Sequence, residues 1–495
     1  MLKNNNIQPA KLFWYYNILR SRDYINSRDK ILKKKYHFIA IGGVGMSGLA
    51  KYLLQKGFEV SGSDINDSKY VQKVKKLGAN VYIGHDENNL PDDCIVIAST
   101  AIRETNPEIQ KAKRLGLPIW HRSDLLAEIS KNEEHFIGFS GTHGKTTTSG
   151  LCSYVMEKAG LKPSYVVGGT IPEIETNANA ANDRIFIAEL DESDGTIVKY
   201  SANVVVVNNL EPDHLDFYKN GLESILETFE TFLSHIRKDG IILANTDNEG
   251  VKRLVKYFTE HTLMNNAKFV TYSIGGNTDY SAKNINYGED FTTFDIYYKG
   301  EFVSNLKICL KGVHNVYNSL AVWASLHQSG IDMTLVNPHF ATFTGMGRRF
   351  EKVGEFDGIT IYDDYAHHPT EIKATLSSSK SFTGKNVIAV FQPHRYTRLQ
   401  NLWNDFMGAF SDVNRVIVTD VYAASEDPIE GVNSEAFTNE LKEKIDIPCE
   451  NISGSIADVA AKLFPTLKSG DVVIGLGAGT ITNLGKELLT LSKEK

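Results

Sequence analysis

Phe136-Ile-Gly-Phe-Ser-Gly-Thr-His-Gly-Lys-Thr-Thr-Thr148 decides how this chain is read. Its first four residues have the apolar character of a buried β-strand, and a helix-compatible segment runs from the threonines through Ala159. Between them lie Gly141, Gly144 and Lys145. A strand that turns through glycines into a helix aims backbone N–H groups and the positive end of the helix at an anion. A lysine in that turn neutralises outer phosphate oxygens. The hydroxyl that follows, Thr146, can complete the shell of a phosphate-bound Mg²⁺. The pattern is a variant, G-x-x-G-K-T, because the position where the usual phosphate loop has its first glycine is Phe139. A glycine turn with an incidental surface lysine is the plainer alternative. The strand before the turn and the threonines after it favour a nucleotide.

Further along, two apolar strands deliver acids at their C-terminal ends. Arg184–Glu189 runs into Glu189-Leu-Asp-Glu-Ser-Asp194, and Asn203–Asn208 into Asn209-Leu-Glu-Pro-Asp-His-Leu-Asp216. That is the ligand edge of an open α/β sheet. Hard carboxylates beside a triphosphate suit Mg²⁺. His214, between Asp213 and Asp216, could equally cap a helix or solvate a strand end. Together with Lys145 it points to a metal-centred phosphoryl-transfer site. Short alternating strands within 269–310 suggest a small antiparallel addition. Gly312 then opens a helix on which Asn315 and Asn318 share a face. They are either caps or amides facing a purine edge.

A chain of 495 residues exceeds one core, and its length suggests three domains. Net charge of −7 carries no nucleic-acid signal, and four scattered cysteines suggest reduced thiols in a cytoplasmic protein. No run of 18 apolar residues indicates a membrane span. Residues 1–35 hold nine Lys/Arg against two acids, with interleaved aromatics, and read as a basic arm without a secretory signal. Residues 36–132 form an α/β unit in which the strand His37–Ile41 enters Gly42-Gly-Val-Gly-Met-Ser-Gly48. Gly43, Gly45 and Gly48 fit G-x-G-x-x-G, and Asp64 stands where a dinucleotide fold places its ribose-binding acid. NAD is the default reading of that motif. A nucleotide-diphosphate substrate competes with it, because a second nucleotide loop follows and nothing downstream resembles a hydride-transfer site. The central unit spans 133–344. In 345–495, after Gly345-Met-Gly-Arg-Arg-Phe350, four strands end in polar or glycine payloads, giving a second open parallel sheet. There His394, Arg395 and Arg398 suit a carboxylate, since guanidinium offers paired planar donors.

Across about 36–490 these strings resemble the Mur ligase family. They include Ile41–Gly48, Gly141–Thr147, Glu189–Asp194, Asn209–Asp216, His314-Asn315, Gly347–Phe350, Asp364-Tyr-Ala-His-His-Pro369 and Phe391-Gln-Pro-His-Arg395. The opening G-G-x-G-M-S-G and the H-H-P string are typical of its alanine-adding type. The resemblance implies a three-domain α/β enzyme: a Rossmann-like domain, a central P-loop domain with a mostly parallel sheet that binds ATP, and a C-terminal Rossmann-like domain. It implies a cytoplasmic ligase, monomeric or weakly dimeric, joining L-alanine to the carboxylate of UDP-N-acetylmuramate in peptidoglycan synthesis. ATP and Mg²⁺ are the implied cofactors, with neither a nucleic-acid partner nor stable membrane insertion. On this reading Gly43, Gly45, Met46, Ser47 and Asp64 bind the UDP portion, in place of NAD. Gly141, Thr142, His143, Gly144, Lys145, Thr146 and Thr147 hold ATP phosphates, Asn315 and Asn318 lie near adenine, and Arg348 and Asp364 close the nucleotide site. Thr146, Glu189 and His214 form the Mg²⁺ set. His367, His394, Arg395 and Arg398 serve the alanine and muramate side, and Lys145, His214, His367 and Arg395 are the implied catalytic residues. The alternatives are a related ligase that adds a preformed peptide and a non-catalytic nucleotide-binding module.

Overall fold

Short apolar strands alternating with helices build three sheets, one after another along the chain. The structure, a computed structural model, describes residues 35–494 apart from 182–184, 216, 262–263, 289, 379–381, 383 and 425. The basic arm, Arg184 and Asp216 therefore lie outside the described residues, Lys35 excepted.

In the first sheet β1 (Lys35–Ile39), β2 (Glu59–Asp64), β3 (Asn80–Ile83), β4 (Ile95–Ala98) and β5 (Ile119–His121) are all parallel, in the order β3-β2-β1-β4-β5. The order reverses beside β1, so the glycine turn after β1 sits where such sheets open a crevice. β1 ends before the expected Ile41 because Ala40 takes a φ of 61°, outside the extended region. The helix Val44–Gln55 follows with Gly43 as its N-cap. Its Gly48 is small for packing: a Cβ there would lie 3.1 Å from Asn177 Nδ2 and 3.4 Å from Val166 Cγ1, both in the second sheet.

The second sheet comprises β6 (His135–Ser140), β7 (Ser164–Ile171), β8 (Thr176–Asn179), β9 (Ile185–Glu189), β10 (Val204–Val207), β11 (Ile241–Asn245), β12 (Lys268–Ile274), β13 (Tyr280–Tyr287), β14 (Thr292–Tyr298) and β15 (Glu301–Ile308). Their order is β15-β14-β13-β12-β11-β10-β6-β9-β7-β8. Neighbours from β7 to β13 are parallel; β8 at one edge and the β13-β14-β15 meander at the other are antiparallel. All of β10 is buried, as its unbroken valine run requires. The β7–β8 hairpin is absent from the sequence reading because Gly168 and Gly169 interrupt its apolar run. It carries the first sheet's helix Val44–Gln55: Asn177 Nδ2 donates to Val44 O at 2.8 Å, and Lys56 Nζ to Ala181 O at 2.9 Å.

The third sheet comprises β16 (Glu351–Phe356), β17 (Ile359–Asp364), β18 (Val387–Phe391), β19 (Arg415–Thr419), β20 (Cys449–Ile452) and β21 (Val472–Leu476), in the order β16-β17-β21-β18-β19-β20. The expected parallel sheet is corrected at one edge, where β16 runs antiparallel to β17. The cause is local. Asp357 and Gly358 both take positive φ, 47° and 78°, and close a two-residue hairpin between the paired Phe356 and Ile359.

One buried charge ties the first sheet together. Glu108, in the helix Pro107–Leu115, is inaccessible to solvent. It accepts from Ser63 Oγ at 2.7 Å, Asp86 N at 3.3 Å and Asn89 Nδ2 at 3.3 Å, and lies 3.2 Å from His37 Nε2. Burial opposes the carboxylate, but the hydrogen bonds from His37 and Ser63 prevail and hold its pKa below the ordinary value. A lowered folded pKa gives stability that is present above the unfolded value and lost as pH falls through the folded one. Glu108→Gln should therefore lower unfolding free energy by about 1–3 kcal/mol at neutral pH, with the deficit shrinking under acid conditions. Urea titrations at two pH values check this; equal stability of the two proteins at pH 7 would contradict it.

Candidate active site

The turn after β6 is shaped by two glycines. Gly141 has φ 118° and Gly144 φ 84°, and neither has room for a side chain. A Cβ would lie 2.8 Å from Asn209 O at Gly141 and 2.8 Å from Asn318 Oδ1 at Gly144. Asn209, after β10, holds the turn: its carbonyl accepts from Thr142 N at 3.0 Å and its Oδ1 from His143 N at 2.7 Å. Thr142 Oγ1 accepts from Glu211 N at 2.9 Å. The helix Lys145–Lys158 starts immediately after Gly144.

Lys145 Nζ folds back over its own turn, donating to Gly141 O at 2.8 Å, Thr142 O at 3.0 Å and Glu192 Oε1 at 3.0 Å. Burial works against the ammonium, but Glu192, Asp191 and Glu189 overcome it and raise its pKa. Burial pushes Glu192 up to about 7 although Lys145 pulls it down, and its Oε2 is buried without a hydrogen-bond partner. Asp191 is held well below the carboxylate range: Arg122, 2.6 Å away from the first domain, and Lys145 outweigh the effect of burial.

Of the expected metal set, Thr146 and Glu189 meet. Thr146 Oγ1 donates to Glu189 Oε1 at 3.1 Å, and Glu189 Oε2 accepts from Gly168 N at 2.9 Å. A Cβ on Gly168 would come within 2.3 Å of that oxygen. His214, at φ 52°, turns to Asp213 instead, with Nε2 3.6 Å from Oδ2. Among the described residues no group of three His, Cys, Asp or Glu side chains is placed to hold a metal ion.

In the first domain Gly43 is exposed and Gly45 half-buried at the helix start, whereas Met46, Ser47 and Asp64 are buried. Asp64 spends both oxygens locally, accepting from Gly42 N at 2.8 Å and Asn66 N at 3.0 Å. Asn315 and Asn318 do share a face, Asn318 Nδ2 donating to Asn315 Oδ1 at 3.1 Å. They line a cavity of about 350 Å³ together with Gly144, Thr147, Asp364 and Glu371. Asp364 accepts from Phe350 N and Ala366 N, each at 2.7 Å, and burial raises it to about 6. Arg348 is committed to the third sheet, with Nε donating to Asp363 Oδ2 at 3.1 Å and Nη2 to Gly477 O at 2.7 Å.

A larger cavity of about 1040 Å³ opens between all three domains. Lys69, Tyr70 and Lys73 line it from the first, Lys145, Thr146, Glu189 and His214 from the second, and Arg348, His367, His394, Arg395 and Arg398 from the third. His367 Nδ1 lies 3.0 Å from Tyr365 O and 3.3 Å from Glu371 Oε2, both acceptors, so Nδ1 carries the hydrogen and Nε2 the lone pair. Burial, with Arg398, lowers His367 to about 4, so its ring is neutral at pH 7. Arg398 Nη1 donates to His394 Nδ1 at 3.1 Å. Arg395, at φ 71°, places Nη1 3.9 Å from Glu426 Oε1.

Several residues at the site escaped the sequence reading: Arg122, Glu192, Arg349 and Glu371. Glu192 and Arg349 stood inside quoted strings without being singled out, whereas Arg122 and Glu371 stood in none. Glu371 lies in the first turn of a helix, and its significance at the site comes from His143, a partner distant in sequence.

Three family models match the chain in succession: "Mur ligase family, catalytic domain" over 35–134, "Mur ligase middle domain" over 139–326 and "Mur ligase, glutamate ligase domain" over 348–479. The chain belongs to the Mur ligase family. Within it, the similarity is to UDP-N-acetylmuramate–L-alanine ligases. That of Carboxydothermus hydrogenoformans is 40% identical over 466 residues, spanning 93% of this chain and 98% of the relative. That of Syntrophus aciditrophicus is 38% identical over 460 residues, 92% and 93% of the two chains. Among solved structures, UDP-N-acetylmuramate-alanine ligase from Thermotoga maritima aligns with a TM-score of 0.78 at 26% identity over 93% of this chain and 99% of that one. A murein peptide ligase from Psychrobacter arcticus shares the fold, with a TM-score of 0.71 at 20% identity over 93% and 99%.

His143 gives the site a measurable signature. Its Nε2 lies 3.5 Å from Glu211 and its Nδ1 3.4 Å from Glu371. Burial opposes its charge, but the two carboxylates outweigh that and raise it to about 9 from 6.5. A raised folded pKa gives stability that is complete below the unfolded value and lost as pH rises through the folded one. The His143 resonance should titrate near pH 9 by NMR, and stability should fall between about pH 7 and 9. A resonance that titrates at 6.5 would contradict this assignment.

Proposed function

We infer that this chain is an ATP-dependent ligase that joins L-alanine to the carboxylate of UDP-N-acetylmuramate, releasing ADP and phosphate, in peptidoglycan precursor synthesis. The observation that carries the reading is a cavity of about 1040 Å³ to which all three domains contribute charged side chains. Relatives at 38–40% identity over nearly their whole length bear the corresponding name. On this reading 36–132 is a Rossmann-like unit for the sugar nucleotide, 133–344 a P-loop ATP domain, and 345–495 a Rossmann-like domain that closes over ATP and takes the amino acid. Residues 1–35 are an accessory arm. Among the described residues no helix is long and apolar enough to cross a membrane.

The chemistry follows from what a carboxylate cannot do. An amine attacking it directly would have to expel oxide. Transfer of the γ-phosphoryl group onto a carboxylate oxygen gives an acyl phosphate, whose leaving group is phosphate. The free amine of L-alanine then adds to the carbonyl carbon, the carbon–oxygen bond to phosphate breaks, and the amide forms with loss of the amine's proton. Lys145, at a helix start and already surrounded by acids, balances phosphate charge during transfer. Asn315, Asn318 and Asp364 face the adenosine portion in the smaller cavity, and Arg348 closes the nucleotide site from the larger one. Glu189 and the Thr146 hydroxyl are hard oxygens of the kind Mg²⁺ takes, side by side on the cavity wall with Lys145, and would hold it together with phosphate oxygens. Bound Mg²⁺ would supply charge neutralisation of the phosphates. Neutral His367, with its Nε2 lone pair free of the Tyr365 and Glu371 contacts, can accept a hydrogen bond from the alanine ammonium and orient it, its lowered pKa making it too weak a base to keep that proton. His394, Arg395 and Arg398 grip carboxylate oxygens, and closure of the cavity keeps water from the acyl phosphate.

Phosphate release with UDP-N-acetylmuramate, crossed against L-alanine, glycine, L-serine and a preformed tripeptide, tests the reading. L-Alanine should give the highest kcat/KM. A clear preference for the tripeptide would assign the chain to peptide addition, and release with none of them would leave only nucleotide binding. In the same assay Lys145→Ala should cut turnover by about 10²–10³-fold or more while UDP-sugar binding, followed by calorimetry, stays within about threefold.

A further inference from the structure

We propose that Glu371 is a positioning residue that latches the third domain onto the glycine turn through His143 and, by the same carboxylate, sets His367 over the cavity. The inference rests on the ligase reading above and adds a coupling between its two halves. Glu371 lies in the third domain's helix Pro369–Ser378. Its Oε1 is 3.4 Å from His143 Nδ1, on the central domain's turn, and 3.5 Å from Arg349 Nη1. Its Oε2 is 3.3 Å from His367 Nδ1 and accepts from His367 N at 3.2 Å. One carboxylate thus holds a residue of the phosphate-facing turn with one oxygen and the ring proposed to orient the amine with the other.

The surroundings make this a junction rather than a surface ion pair. His143 is clasped on its other side by Glu211, and its ring lies 5.3 Å from that of His368 in the third domain. His143 and Glu371 line both the cavity of about 350 Å³ beside Asn315 and Asn318 and the cavity of about 1040 Å³ beside His367. They stand in the wall the two cavities share. A carboxylate so placed transmits the position of the turn to His367: a shift of His143 away from Glu371 removes one of the contacts fixing the side chain that orients the His367 ring. Arg349, lining both cavities, pairs with Glu371 from within the third domain.

The test uses the full chain and compares the parent with Glu371→Gln, His143→Gln, the double variant and Glu371→Asp. Glu371→Gln should lower kcat by about tenfold or more with the KM for ATP changed by less than about threefold. The double variant should be no slower than the slower single one, because both changes break the same contact. Glu371→Asp, keeping the charge, should recover part of kcat. Singles whose effects multiply in the double variant, a kcat within about twofold of the parent, or a defect confined to the KM for ATP would each overturn the latch. Should Glu371→Gln not fold, Glu371→Asp replaces it in the cycle with His143→Gln under the same criteria. A parent protein that makes no amide product would fail the ligase reading itself, whereas an active parent with unaffected variants fails the latch alone.

Discussion

A buried ammonium organises the centre of this protein. Lys145 starts a helix, where the helix's own positive end already disfavours a cation, and burial adds a desolvation cost. It stays charged because Gly141 O, Thr142 O and Glu192 Oε1 lie within 3.0 Å of Nζ and because Asp191 and Glu189 add their fields. Those acids then need support of their own. Arg122 reaches from the first domain to Asp191, and Gly168 N with Thr146 Oγ1 secures Glu189. The arrangement is full of charge with nothing apolar to replace it, which is what a site handling a polyphosphate and its counter-ion requires. An apolar core at this position would fold more cheaply and bind nothing.

The same economy governs how the domains meet. The β7–β8 hairpin serves both neighbours, and Thr170 shows it in one residue. Its hydroxyl lies 3.2 Å from Tyr70 OH of the first domain, while its carbonyl accepts from Gly347 N of the third at 2.9 Å. Close by, Met346 packs where a Cβ on Gly150 would lie only 2.0 Å from its sulfur. Both outer domains therefore take their bearings from a short edge of the central sheet, next to Glu189.

Much of this was legible in the chain. Buried parallel strands announce themselves as apolar runs, and β18 and β19 fall where Val387–Phe391 and Arg415–Thr419 indicated. Strands that carry polar residues were not readable: β20 is Cys-Glu-Asn-Ile, and β16 owes its direction to the Asp357-Gly358 hairpin rather than to its own pattern. At the site, motif residues such as Lys145, Glu189 and Asn318 sit beside cavities, because a phosphate-facing turn has few ways to be built. Asp64 shows the limit of spacing as a guide, since the position of a ribose-binding acid also suits a carboxylate that caps Gly42 N. Arg122 and Glu371 were invisible because their partners lie 69 residues away at Asp191 and on a turn of another domain. Single-chain patterns report local periodicity, not long-range charge pairing.

Oxygen transfer tests most directly the claim that the cavity activates a carboxylate by phosphorylation before an amine attacks it. UDP-N-acetylmuramate labelled with ¹⁸O in its carboxylate would be turned over with ATP and L-alanine, and the released phosphate analysed by mass spectrometry. An acyl phosphate formed on that carboxylate predicts phosphate carrying one labelled oxygen for each amide made. Amide formation with unlabelled phosphate would contradict the account.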